Sequence, residues 1–280
     1  MRFAKVLLSI VNENVADKVN AMSQIITRAV RGNFFDIREP VLQPEECEAQ
    51  VRYIEDGLML LSGGTIVWLG SWQEGEGKLA LARKTAVLDI DDYRDKLIVP
   101  GFIDTHIHYP QTEMIGAYGE QLLEWLTRYT FPTEQQYHCA DYARRMSKFF
   151  ISQLLLNGTT TALVFGTVHP QSVDALFKEA SDINMRLVAG KVMMDKNAPA
   201  GLLETPEESE RDTRGLIARW HNRQRLSYAL TPRFAPTSSP ELLQRVRLLK
   251  QEFPDVYMHT HLSENVAELS WVKEMHPDHQ

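Results

Sequence analysis

The apolar positions of this chain fall into two regimes. Between Arg31 and Arg94 they come in runs of strand length, Gly32–Ile37, Leu58–Leu61 and Thr65–Leu69, with Gly63-Gly64 placed as a turn before the last. That texture predicts a small β-rich lobe over 31–95, half of a sandwich, preceded by an N-terminal extension, 1–30, without clear pattern. From Lys96 onward the pattern alternates. A nearly continuous apolar strand, Lys96–Asp104, is followed by a helix over Thr133–Asn157 that Gly158 stops as a C-cap. Then come strand Thr159–Phe165, helix Ser172–Asn184, strand Met185–Met193, helix Pro206–Arg225, strand Leu226–Thr231, helix Pro240–Phe253 and strand Val256–His261. Strands alternating with helices predict a parallel α/β sheet with right-handed crossovers. The apolar run at Lys96–Asp104 reads as a strand buried on both faces. Eight such units close a barrel, and five strands with a trailing helical segment leave two architectures. One is an open doubly wound sheet; the other, which the motifs favour, is an incomplete (β/α)8 TIM barrel over 96–280.

Composition narrows the function classes. With 44% apolar and 24% charged residues the chain can bury an ordinary globular core. Its net charge of −7, with no Lys/Arg stripe, argues against the nucleic-acid backbone as a partner. No stretch nears the roughly 20 apolar residues of a membrane span. The run Val6–Val11 is too short for a secretory signal and lacks a cleavage site. Two distant cysteines, Cys47 and Cys139, offer neither a metal pair nor a disulfide framework, so a cytoplasmic location is expected.

The candidate chemistry sits at two strand ends. In Asp104-Thr105-His106-Ile107-His108 the two histidines share one face of a strand and can grip a single metal ion, zinc being the usual partner of neutral imidazole. In Tyr257-Met258-His259-Thr260-His261-Leu262-Ser263-Glu264 a second strand end brings further imidazoles. His261 is the preferred ligand because it lies three residues before Glu264, a carboxylate able to move a proton. His259 stays open as ligand, supporting partner or filler. Two polar histidines in a loop, and an acid at a helix N-terminus, are the plainer readings of the same residues. Lys191 sits on the third strand, not the fourth, which argues against a lysine bridging two metals. His138, His169 and His221 are expected at the surface.

The run Pro100-Gly101-Phe102-Ile103-Asp104-Thr105-His106-Ile107-His108-Tyr109-Pro110-Gln111 resembles the opening metal motif of guanine deaminases in the amidohydrolase superfamily. The segment Leu123–Glu134 (Leu-Glu-Trp-Leu-Thr-Arg-Tyr-Thr-Phe-Pro-Thr-Glu) resembles one peculiar to that family, as do Thr231–Pro236 and His261–Asn265. The resemblance runs from about Val30 to the end. It implies one Zn2+ ion held by His106, His108 and His261, with Glu264 shuttling protons. It further implies that Gln111, Arg233 and Phe234 hold guanine beside His108 and His261. The implied reaction is hydrolysis of guanine to xanthine and ammonia in purine catabolism. Trp125 and Phe131 are candidates for a lid, with simple packing the plainer reading. The implied partners are guanine as a small molecule and a second copy in a homodimer. Relatives carry a later histidine and aspartate absent from these 280 residues. A fragment that is unstable and turns guanine over poorly is therefore expected. Alternatives are another aromatic deaminase or chlorohydrolase of the superfamily, or a non-catalytic metal-binding fragment.

Overall fold

A computed structural model describes residues 25–41, 43–117 and 122–277, in two units, Met1–Pro100 and Gly101–Gln280. The expected extension lies largely outside the described residues.

In the first unit, β1 (Arg28–Ile37), β2 (Val51–Ser62), β3 (Thr65–Ser71) and β4 (Ile90–Ile98) form a sheet in the order β3-β2-β1-β4. β2 and β3 are an antiparallel hairpin closed by Gly63 and Gly64, both at positive φ (56° and 88°), as a twist-matched two-residue turn requires. β1 begins at Arg28, ahead of the Gly32 start expected, and β4 begins at Ile90, ahead of the strand expected from Lys96. α1 (Trp72–Ala82) packs Leu79 into a small core with Ala29, Leu58, Leu60 and Leu88. Its signal was available: Ser71 and Glu74 form a reciprocal capping box. Gly75 and Gly77 inside the helix lower its propensity and obscure the pattern.

The second unit holds β5 (Phe102–His108), β6 (Thr159–Phe165), β7 (Arg186–Gly190), β9 (Leu226–Pro232) and β10 (Tyr257–Met258), all parallel, with the short β8 (Val192–Met193) also pairing β9. Between them run α2 (Leu122–Trp125), a π-helical turn (Leu126–Thr130), α3 (Phe131–Gln135), α4 (Ala140–Leu156), α5 (Pro170–Asp182), α6 (Pro206–Trp220) and α7 (Pro240–Glu252); α8 (Val266–Met275) follows β10. The sheet order β10-β9-β7-β6-β5 never reverses. A doubly wound sheet needs a reversal, whereas steady winding in one direction is the path of a barrel. Among the described residues no helix is long and apolar enough to cross a membrane.

Three expectations need correction. The run Lys96–Asp104 is not one strand: β4 ends at Ile98, β5 starts at Phe102, and each joins a different sheet. Pro100 cannot donate to a ladder. Gly101 passes so close to Thr160 that a Cβ would lie 2.0 Å from its Oγ1. Nor is this stretch buried on both faces; Leu97, Phe102 and Ile103 are exposed, β5 being paired on one side only among the described residues. The last strand is two residues long, yet the chain keeps alongside β9, with His259 N–H donating to Leu230 O (2.9 Å) and His261 N–H to Arg233 O (3.0 Å).

β9 is buried along its whole length, and with Phe177, Leu187, Leu176 and Tyr228 it fills the core between sheet and helices. Close approach decides two glycines differently. A Cβ on Gly190 would lie 1.8 Å from Ala229 O, so Gly190→Ala must force β7 from β9 and should cost on the order of 1–3 kcal/mol or more. Gly215, exposed within α6, has nothing within 4 Å, and Gly215→Ala should stabilise by about 0.5–1 kcal/mol. Urea unfolding of both variants checks the opposite signs.

Candidate metal centre and cleft

Period-2 alternation puts His106 and His108 on one face of β5, and the run after β10 brings His259 and His261 to the same place from 153 residues away. Asp104 Oδ1 accepts from the His106 N–H (3.0 Å). His106 Nε2 lies 3.2 Å from His108 Nε2, which lies 3.0 Å from His261 Nε2. His106, His108 and His261 each offer a nitrogen within 4.8 Å of the others. Three nitrogens that close can share an ion at the roughly 2.0–2.1 Å that zinc–imidazole bonds require. His259 stands outside the trio, its Nε2 2.9 Å from His106 Nδ1.

The chemistry of the donor set suits a cation. His261 Nδ1 meets Arg233 O at 3.0 Å, and a carbonyl only accepts, so the ring proton sits on Nδ1 and the Nε2 lone pair turns to the cluster. Burial pushes His108 well below the usual histidine range, aided by the Arg233 charge, and takes His259 to about 3 and His261 to about 4. All three are neutral at pH 7, the form that binds metal. Phe165, wholly buried at the end of β6, floors the cluster. It stacks on His108 (4.8 Å, 16°) and lies 4.3 Å from the ring centres of both His259 and His261.

A cleft of about 230 Å³ opens over these imidazoles, bounded also by Gln111, Trp125, Leu126, Arg233, Phe234 and Glu264. Gln111 comes from the helical turn Tyr109–Met114 that ends β5. Arg233 and Phe234 follow β9 and are nearly buried, at 2% and 5% exposure. Arg233 is no surface salt-bridge former: its Nη1 donates to both oxygens of buried Glu134, at 2.8 and 3.0 Å. Burial pushes the Glu134 carboxyl up and the guanidinium opposes it. Glu264 is exposed at the rim and follows Ser263, whose φ is +58°. That turn is held by Glu268, whose carboxylate accepts the Ser263 and Glu264 N–H groups at 3.2 and 2.8 Å. The structure thus brings together His106, His108, Gln111, Arg233, Phe234, His261 and Glu264, and adds Phe165, Glu134 and Glu268. Glu268 had a signal, standing three residues after the Asn265 N-cap. Trp125 borders the cleft, whereas Phe131 is a core residue beneath Arg233 (5.4 Å).

Lys191 is fully buried, its Nζ 2.5 Å from both oxygens of Glu204 and 3.1 Å from Val192 O, so its ammonium is committed to that pair. The three histidines expected at the surface divide. His138 is exposed, and burial lowers half-buried His169 to about 4. His221, by contrast, is inserted: Nδ1 accepts from Tyr228 N–H at 3.0 Å and Nε2 meets Asp255 at 2.9 Å, which ties the turn after α6 to β9.

Residues 97–280 match the model of the family described as Amidohydrolase family. The chain is 59% identical over 252 residues to guanine deaminase of Escherichia coli (strain K12), covering 90% of this chain and 56% of that protein. The solved E. coli guanine deaminase superposes with TM-score 0.86 at 58% identity, over 91% of this chain and 58% of that one. Guanine deaminase from C. acetobutylicum, solved with guanine bound in its active site, gives TM-score 0.78 at 29% identity, over 90% of this chain and 57% of that one. The fold shared with these structures is an α/β barrel of the (β/α)8 type. The chain spans about half the length of the curated relatives it matches.

The buried Lys191–Glu204 pair yields a stability test. Lys191→Met strands Glu204, 10% exposed, without its counter-charge and should cost about 3–5 kcal/mol in urea unfolding. Adding Glu204→Gln should recover part of that loss.

Proposed function

We propose that this chain, which belongs to the amidohydrolase family, serves the zinc-dependent hydrolytic deamination of guanine to xanthine and ammonia. The observation that carries the reading is the convergence of His106, His108 and His261 beneath a cleft that Gln111, Arg233 and Phe234 also border. Members of the family are metal-dependent, and His106, His108 and His261 would hold a single zinc. When bound, zinc supplies a Lewis acid that lowers the pKa of water toward neutrality.

The remaining steps belong to the chain's own side chains. Phe234 offers an apolar face to the purine plane, and Arg233 donates to its oxo and ring-nitrogen edge. Gln111, with both an N–H and a carbonyl, can pair with a donor and an acceptor on the same base. Glu264 stands at the rim on a turn fixed by Glu268, where its carboxylate takes a proton from the attacking water and returns it to the departing amine. The parallel strands β5, β6, β7, β9 and β10 are read as five successive units of the family barrel. Two exposed, unpaired cysteines, Cys47 and Cys139, support a reducing, cytoplasmic setting.

The test separates metal from chemistry. Zinc titration of the purified chain should give one ion per chain, lost in His261→Ala. Glu264→Gln should keep the ion while xanthine formation from guanine falls about 10²–10⁴-fold. Zinc stoichiometry unchanged in His261→Ala, or full turnover in Glu264→Gln, contradicts the assignment.

A further inference from the structure

The Arg233–Glu134 pair is the one fully buried ion pair bordering the cleft among the described residues, and recognition of a purine by Arg233 alone gives Glu134 nothing to do. The two side chains are 3% and 1% exposed. Both oxygens of Glu134 are met by a single nitrogen, Nη1, at 2.8 and 3.0 Å. Among the described residues no acceptor meets Nη2 or Nε of Arg233, although the residue borders the cleft. Glu134 sits on α3 three residues after Phe131, so one helical face supplies both the carboxylate and the ring lying 5.4 Å from the guanidinium carbon.

We propose that Glu134 is a positioning residue for base recognition. It holds Arg233 by one nitrogen and cancels its charge, leaving a fixed donor edge for the oxo group of an uncharged purine. The inference rests on the guanine reading above. An unpaired buried guanidinium is a site for carboxylate or phosphate, which it binds with charge-assisted bonds. With Glu134 in place the site is already neutralised, and what remains is geometry. That geometry is set from a helix rather than a loop, which suits a donor that must meet an oxygen within a few tenths of an ångström. A buried pair serving stability alone would leave ligand preference untouched.

The experiment uses the zinc-loaded 280-residue chain and two probes, guanine and 2-aminopurine, which has the same rings and 2-amino group but no oxygen at C6. The parent should favour guanine. Glu134→Gln should weaken guanine binding by about 10- to 100-fold while 2-aminopurine changes by less than about threefold. Glu134→Asp, which keeps the charge on a shorter arm, should fall between. An unchanged guanine preference in folded Glu134→Gln, or an equal loss for both purines, overturns the proposal. If circular dichroism finds Glu134→Gln unfolded, Glu134→Asp decides instead, and an unchanged preference there overturns the proposal equally. A parent that binds both purines alike overturns the guanine reading, and this inference falls with it. A parent that prefers guanine while the variants do too isolates the failure to Glu134.

Discussion

Three imidazole nitrogens within 4.8 Å of one another are the constraint from which the second unit is best understood. Neutral histidines do not gather by mutual attraction: at 3.0–3.2 Å their nitrogens must be either bonded through protons or bridged by a cation. The proton of His261 is spent on Arg233 O, so its inward nitrogen has none to give. The arrangement also costs desolvation, visible in how far burial lowers His108, His259 and His261. Parallel strands whose ends lie side by side provide the rigidity that holds these groups against that cost.

Charge is neutralised pairwise in the interior of the second unit. Arg233 is met by Glu134 and Lys191 by Glu204, each pair lying in protein interior where a lone charge is expensive. These two pairs therefore leave no free buried charge among the four groups. Glu264, by contrast, is exposed at the rim of the cleft.

Much of this was legible in the residues and some was not. The strand Thr159–Phe165 has the bounds that its apolar run and Gly158 indicate, because local pattern and tertiary role agree there. The H-x-H spacing needs only strand alternation to be read. The division of Lys96–Asp104 between two sheets was not legible: continuous apolarity carries no mark of where pairing partners change, and only Pro100-Gly101 hints at a break. α1 was hidden by its own glycines, and β10 was over-extended because hydrogen bonding beside β9 continues past the regular strand. Glu134 is the clearest omission. A carboxylate in a polar-looking helical turn gives no sign that an arginine 99 positions later will be buried against it.

One shared cation is what the two histidine clusters must hold if they form a single centre. X-ray anomalous scattering at the zinc edge, from crystals of the metal-loaded chain, measures that directly. A single peak about 2.0–2.1 Å from one ring nitrogen each of His106, His108 and His261 is the predicted result. A peak elsewhere, or one that leaves His261 out of the coordination sphere, would contradict it.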